Sequence, residues 1–347
     1  MADVVFGANY NLIQNDRFRY VVESIDKSNV RMSFLVQFPQ FASLRIDKYM
    51  FRSAITARNR FIKFVTRVVA ERLQKINATP TSAEEAATGT TKPPRDGGAD
   101  VFANLAAAKD PETGDGFSLN EIASESTTLI VAGADTSSVT FAAILFYLAD
   151  NRPAYDRAAA EVRSRFQSRD DIVMGAALAS CEFLYACINE ALRMSPPVGL
   201  ALWREVVATG SEMVLDGQVI PAGCDVGVPL YALHHSERYY ESPFEYRPER
   251  WLVDDGTGSV ERARSVFNPF SIGIRSCLGK SLAMTEMALT TATLLFEGEL
   301  RFAEGDKGLV GRGKAGAELG RHRHHEYQLF DHVTGQKNGP FLQFRAR

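Results

Sequence analysis

Hydrophobic positions recur with a helical period over most of the chain and with a strand-like period in parts of its second half. Residues 1–76 are predicted to be helical, and residues 77–99 to form a flexible loop, because Ala, Thr, Gly and Pro occur there without periodicity. Further helices are predicted at 100–108, 118–150, 154–166, 181–194 and 278–296. Short strands are predicted at 203–207, 212–215, 225–228, 326–330 and 341–344. The pattern therefore predicts a mainly α protein with a minor β-sheet.

The helix predicted at residues 118–150 admits two interpretations. Residues 118–121 fit a capping box at its start, and Asp135 is the only residue between positions 126 and 149 that carries a charge at pH 7. Such a run could cross a bilayer, but a charge at mid-depth would be costly there. Because Ser and Thr crowd the middle of the segment, a helix buried in protein, with Asp135 facing a polar pocket, is favoured.

Residues 45–75 carry nine Lys and Arg residues against two acids, with apolar residues at helical spacing. A basic amphipathic helix can lie on an anionic membrane, which makes peripheral membrane contact one interpretation. The alternative, a solvated charged face above a packed apolar face, is favoured.

Composition narrows the class of protein. Of 347 residues, 45% are apolar and 23% are charged, which is typical of a soluble globular protein and excludes a disordered chain or a disulfide scaffold. The formal charge of -3 gives no indication of a nucleic-acid partner. Four cysteines without a C-x-x-C pair suit a reducing compartment, and no signal peptide is predicted.

The strongest chemical signal is residues 270–279, FSIGIRSCLG. Cys277 precedes a predicted helix, whose backbone N–H groups and dipole favour a thiolate that can ligate iron. Gly273 permits a tight reversal, Gly279 permits close approach of a flat macrocycle, and Arg275 can donate to a cofactor carboxylate. The alternative is a buried free cysteine, and the full spacing F-x-x-G-x-R-x-C-x-G argues against it.

This stretch, which begins at Phe270, resembles the heme-cysteine loop of the cytochrome P-450 monooxygenases. Two motifs upstream agree in order: Glu190 and Arg193 resemble the family's E-x-x-R pair, and residues 248–251, PERW, resemble its P-E-R-F box. Glu190 and Arg193 lie one helical turn apart and can pair, and Arg250 can join them. We expect a buried three-member network, in which the loss of one member costs about 3–5 kcal/mol.

Residues 132–137, AGADTS, resemble the family's oxygen-activation segment. The resemblance implies that small residues such as Ala132 leave room for dioxygen and substrate, that the Thr136 hydroxyl donates protons, and that the Asp135 carboxyl resupplies them. The alternative is that Thr136 and Asp135 only make local helix bonds.

Residues 196–204 resemble the family segment that passes beside the heme and lines the substrate pocket. The resemblance implies that Arg204 contacts a heme propionate, although it could equally be a surface charge. Ordinary core packing is the alternative for the implied pocket residues, which are Val198, Leu200, Ala201 and Leu202.

The remaining histidines and cysteines give weaker signals. His234, His235 and the histidines between 322 and 332 fit no defined metal site, so a solvated loop is favoured. The other cysteines, Cys181, Cys187 and Cys224, are interpreted as buried small hydrophobes.

The resemblance covers the whole chain and is to filamentous-fungal members that oxidise secondary metabolites. It implies a single cytochrome P-450 domain over residues 1–347, with the heme-cysteine loop and following helix at 267–296. Because residues 1–7 resemble the family's helix E, roughly 150 residues of N-terminal helices and strands, including a membrane anchor and a W-x-x-x-R helix, are expected to be missing.

The implied cofactor is heme b, iron protoporphyrin IX, with the Cys277 thiolate as axial ligand. The implied reaction inserts one atom of dioxygen into an apolar small molecule. Electrons would come from an NADPH-dependent reductase, since the chain has no flavin or dinucleotide fingerprint. The family implies the cytoplasmic face of the endoplasmic reticulum, and an unanchored chain is expected in the cytoplasm. Two alternatives stay open: a non-catalytic truncated remnant, and a heme-thiolate isomerase or dehydratase, against which the Asp135–Thr136 pair argues.

Overall fold

The computed structural model describes residues 1–78, 100–208, 212–252 and 256–347. These residues form two compact units, Met1–Asp135 and Thr136–Arg347. Most of the loop predicted at 77–99 lies outside the described residues. The assignment of residues 1–347 to a single domain stays a prediction.

The first unit is built of helices. Its core is an apolar stripe with helical spacing on α5, formed by Phe61, Phe64, Val65 and Val68, which packs with buried residues such as Phe102. The bounds are α1 Ala2–Phe6, α2 Arg19–Gln37, α3 Gln40–Ser43, α4 Asp47–Met50, α5 Arg52–Ala78 and α6 Val101–Ala107.

The long helix α7, Leu119–Asp150, begins in the first unit and ends in the second. Its start has the expected capping box, in which the Ser118 N–H donates to the Glu121 carboxylate (2.8 Å) and the Glu121 N–H to the Ser118 hydroxyl (3.3 Å). Among the described helices, α7 alone is long and apolar enough to cross a membrane. Because Ile144 and Phe146 are fully buried in the core of the second unit, the structure favours the interpretation as a core helix.

The second unit packs helices around that end of α7. Nearly every residue of α10 is buried, and α8, α10 and α13 contribute most of the core. The bounds are α8 Arg152–Arg165, α9 Ala176–Ala179, α10 Glu182–Met194, α11 Leu230–His234, α12 Ser259–Ser265 and α13 Lys280–Glu297, with 3-10 turns at Arg169–Asp171, Pro248–Trp251, Gly273–Arg275 and Gly305–Leu309.

Three antiparallel two-stranded sheets complete the described part of the second unit. They pair β1 Arg204–Glu205 with β4 Asp225–Val226, β2 Met213–Leu215 with β3 Gln218–Ile220, and β5 Gly298–Phe302 with β6 Leu342–Ala346. The pattern did not predict β3 or β5. The strand predicted at 326–330 is wrong, because there Phe330 alone makes a bridge, to Gln336.

Side chains of α8 fix the C-terminal end of α13. The Arg163 guanidinium donates to the carbonyls of Leu295 (2.9 Å) and Gly298 (3.0 Å), and the Tyr155 hydroxyl donates to Gly298 (2.8 Å). These donors satisfy carbonyl groups that a helix end leaves without partners inside the helix.

Candidate functional site

The loop that carries Cys277 is closed by its own backbone. The Cys277 N–H donates to the Phe270 carbonyl (2.8 Å), and the Ser276 N–H donates to the Gly273 carbonyl (3.0 Å). Gly273 has a φ of 71°, in the left-handed region, which is why a residue without a Cβ suits this reversal. The loop thus holds the Cys277 thiol just before α13 begins at Lys280.

The surroundings of the thiol fit the cofactor that the sequence predicts. Cys277 is exposed, and so are its apolar neighbours Ile272 (69%), Ile274 (101%) and Leu278 (94%). No group of three or more His, Cys, Asp or Glu side chains that could hold a metal occurs among the described residues. A single sulfur donor amid exposed apolar side chains suits a flat apolar macrocycle that supplies the other ligands of its metal.

Gly279 is not required by the local packing of the loop. A Cβ added there would meet the Cys277 sulfur at 3.9 Å, an ordinary van der Waals contact. Its role in approaching a macrocycle stays a prediction.

The two arginines expected to hold propionates are both exposed. Arg275 lies in the turn Gly273–Arg275, and Arg204 lies in β1, where its guanidinium donates to the carbonyls of Leu202 (3.3 Å) and Trp203 (2.8 Å). Both side chains are accessible to a carboxylate, and their contact with a propionate stays a prediction.

The structure brings Glu190, Arg193 and Arg250 together in the interior of the second unit. Arg193 makes a bidentate pair with Glu190, with Nε–Oε2 at 3.0 Å and Nη2–Oε1 at 2.9 Å, and Arg250 Nε donates to Oε1 at 2.9 Å. Glu190 and Arg193 are completely buried. Burial alone raises the pKa of Glu190, but the attraction and hydrogen bonds of Arg193 and the charge of Arg250 outweigh it and lower that pKa.

The same network orders the irregular segment that precedes the cysteine loop. Arg193 also donates to the carbonyls of His234 (2.8 Å), Pro243 (2.7 Å) and Glu245 (3.3 Å). The arginine therefore ties α10 to α11 and to the residues that lead into the Pro248–Trp251 turn.

The predicted proton-relay residues lie in the middle of α7. Asp135 is 8% exposed, and its carboxylate accepts a hydrogen bond from Asn29 Nδ2 of α2 at 2.7 Å. Thr136 is partly buried, and Ala132 is exposed. Sequence reasoning did not find Asn29, since no local pattern signals a partner 106 residues away.

A family model described as cytochrome P-450 matches residues 1–309. The chain belongs to the cytochrome P-450 family. The prediction from the cysteine motif is therefore confirmed at the level of the family.

Relatives of this P-450 chain are fungal monooxygenases. A cytochrome P-450 monooxygenase of Gibberella zeae is 49% identical over all of this chain, which covers 75% of that protein. The Alternaria alternata monooxygenase AKT7 is 44% identical, with 99% of this chain and 63% of that protein covered. The Gibberella fujikuroi monooxygenase apf8 is also 44% identical, with 100% of this chain and 88% of that protein covered. The predicted class of enzyme, a cytochrome P-450 monooxygenase, is confirmed by these relatives.

A solved structure confirms the predicted fold class. The crystal structure of the cytochrome P-450DA heme domain superposes with a TM-score of 0.69, covering 100% of this chain and 65% of that chain, at 19% identity. At that identity the likeness shows the mainly α P-450 fold and nothing further.

The predicted pocket residues of this P-450 lie on the segment after α10. Val198, Leu200 and Ala201 are partly exposed, and Leu202 is 45% exposed. A neighbouring cavity of about 240 Å³ is lined instead by Ser195, Gly199 and tail residues including Glu326. The substrate-lining role of the four predicted residues stays a prediction.

Two minor predictions are wrong. His234 and His235 are 0% and 7% exposed at the end of α11 rather than in a solvated loop, and burial lowers their pKa values to about 4 and about 3. Cys224 is exposed, whereas Cys181 and Cys187 are buried as expected. The burial of the two histidines was not predictable from the local sequence, because they adjoin polar residues and the residues that cover them come from distant parts of the chain.

We expect Glu190→Gln to lower the free energy of unfolding by about 3–5 kcal/mol, because it leaves two buried guanidinium groups without a charged partner. Urea unfolding at pH 7 measures this. The matched control is Glu249→Gln, whose pair with Arg157 (3.2 Å) is about half exposed, and which should cost at most about 1 kcal/mol. Equal losses in the two variants would contradict the interpretation.

Proposed function

We propose that this chain is a heme-dependent monooxygenase that inserts one atom of dioxygen into an apolar small molecule, a secondary metabolite. The observation that carries the proposal is the exposed Cys277 thiol, held by backbone bonds directly before α13 and bordered by exposed apolar side chains. Fungal relatives that are named monooxygenases support it.

Heme b, when bound, supplies dioxygen activation and oxygen-atom transfer. In our proposal the Cys277 thiolate would ligate its iron, and the guanidinium groups of Arg275 and Arg204 would donate to its propionates. Phe270 and Gly273 shape the cysteine loop, and Gly279 allows the macrocycle to approach the start of α13.

The proposed proton path uses two neighbouring side chains of α7. The Thr136 hydroxyl holds the proton that is delivered, and the Asp135 carboxyl resupplies it. The hydrogen bond from Asn29 to Asp135 (2.7 Å) supports this role, because it orients the carboxyl group.

Substrate and electron donor follow from the same proposal. Ala132 and the four residues predicted to line the pocket would contact an apolar substrate and exclude water from it. Electrons would come from an NADPH-dependent reductase that binds on the side of Cys277.

We expect Cys277→Ala to abolish heme retention, because no other residue of the loop supplies a thiolate. The measurement is the heme-to-protein ratio together with the spectrum of the reduced, carbon-monoxide-bound protein. Cys224→Ala, which removes the other exposed thiol, should leave both unchanged. Stoichiometric heme in Cys277→Ala would refute the ligand assignment, and a wild type without a thiolate-type Soret band would favour the non-catalytic remnant.

We expect Thr136→Ala to keep its heme but to release more hydrogen peroxide per NADPH consumed, by about tenfold or more, because proton delivery is lost. Peroxide, NADPH and oxygen-dependent product are measured with reductase added. The control is Thr128→Ala in the same helix, where the hydroxyl donates to the Ser124 carbonyl at 3.0 Å. Unchanged coupling in Thr136→Ala would remove Thr136 from the path.

We further propose that residues 36–52, the tip patch, contact an anionic membrane surface. The patch exposes large apolar side chains, each 40–73% exposed: Val36, Phe38, Leu44, Ile46, Tyr49 and Met50. The exposed side chains of the patch that carry a charge at pH 7 are the cations of Arg45, Lys48 and Arg52. Asp47 is its one acid, which is buried and paired with Arg31. Apolar side chains with a cationic border suit anionic lipid.

We expect the purified protein to co-sediment with phosphatidylserine-containing vesicles and less with neutral vesicles. The double variant Leu44→Asp/Tyr49→Asp should weaken this binding by about tenfold or more, because it removes two inserted apolar side chains. Met174→Asp, at a residue 71% exposed outside the patch, is the control. Unaltered binding of the double variant would exclude the tip patch, and self-association of the wild type without vesicle binding would favour a protein partner.

A further inference from the structure

We infer that Trp251 is a positioning residue, which holds the buried Glu190 carboxylate through its indole N–H and the start of the cysteine loop through its ring. This is a fourth side chain in a network for which the sequence predicted three. The expected effect of Trp251 on heme retention rests on the proposed function, whereas its expected effect on the order of the cysteine loop does not.

The indole N–H completes the coordination of the Glu190 carboxylate. Oε1 accepts from Arg193 (2.9 Å), Arg250 (2.9 Å) and the Arg247 backbone N–H (3.0 Å), whereas Oε2 accepts from Arg193 (3.0 Å) and from Trp251 Nε1 (3.0 Å). Trp251 is 3% exposed and Glu190 is fully buried, so water has little access to replace a lost donor. Trp251 therefore supplies one of the two hydrogen bonds to Oε2.

The same ring contacts the segment that enters the cysteine loop. The Trp251 and Phe267 rings lie 4.5 Å apart between centroids, and the Arg264 guanidinium donates to the Trp251 carbonyl (3.1 Å). Phe267 is three residues before Phe270, whose carbonyl accepts the Cys277 N–H. One side chain thus spans from the α10 carboxylate to the base of the thiolate loop.

Phenylalanine, which the family's P-E-R-F box has at this position, can keep the aromatic contact but has no N–H to donate. The choice of tryptophan therefore adds a hydrogen bond to the network without changing the aromatic character of the site. The two contributions of the indole, donor and ring, can be separated by substitution.

A spectroscopic test uses the fact that the chain has two tryptophans, of which Trp203 is 55% exposed. With 15N-labelled tryptophan, the Trp251 indole N–H should exchange with solvent at least about 100-fold more slowly than that of Trp203. Trp251→Phe and Trp203→Phe assign the two signals. Comparable, fast exchange of both would overturn the buried hydrogen bond.

A second test measures the loop by hydrogen exchange of the peptide containing residues 267–277 in the full chain. Trp251→Phe should accelerate its exchange by about three- to tenfold, and Trp203→Phe should not. Replacing Trp251 with benzothienylalanine, which keeps the ring shape and lacks the N–H, should also accelerate exchange. If that isostere behaves like wild type, packing alone accounts for the residue and the donor role is overturned.

The final readout is the rate of heme transfer to excess apomyoglobin, which we expect to be about three- to tenfold faster for Trp251→Phe. Faster loop exchange with unchanged heme loss would overturn the link to the cofactor. A wild type that binds no heme would refute the proposed function, while the two exchange experiments would still support or overturn the role of Trp251.

Discussion

The described part of the second unit depends on one buried negative charge. A carboxylate without solvent contact is costly unless donors surround it, and Glu190 has them from its own helix, from the Pro248–Trp251 turn and from a backbone N–H. The buried charge thereby orders the chain between α11 and the Pro248–Trp251 turn, which has little regular secondary structure. In this region, ion pairs and hydrogen bonds hold the chain in a fixed conformation, as backbone hydrogen bonds between strands do in a sheet.

The pair within this network follows from the sequence, because a spacing of three residues on a helix puts Glu190 and Arg193 on one face. Arg250 was added to the predicted network by the resemblance of residues 248–251 to the family's P-E-R-F box. The same reasoning recognised position 251 as a replaced Phe but did not predict its hydrogen bond. Which way an indole N–H points depends on packing against Tyr240 and Phe267, which no local pattern encodes.

Elements with a strong local signal were predictable, and those without one were not. The capping box and apolar run of α7 gave its bounds to within one residue. By contrast, β3 is three residues long, which is too short to show a period. The sequence of β5, GELRF, alternates polar and apolar residues, but only over five residues that follow α13 without a break. The Asn29–Asp135 bond joins distant residues, and a single sequence carries no signal for such pairs.

The fixing of α13 by Arg163 and Tyr155 makes the length of this helix important for the cysteine loop. The helix has 18 residues, so about 27 Å separate its fixed end from the thiol loop at the other. Inserting or deleting one residue would turn that loop by about 100° around the helix axis. The number of residues in α13, more than the identity of the side chains on its exposed face, therefore sets the direction in which the thiol loop points.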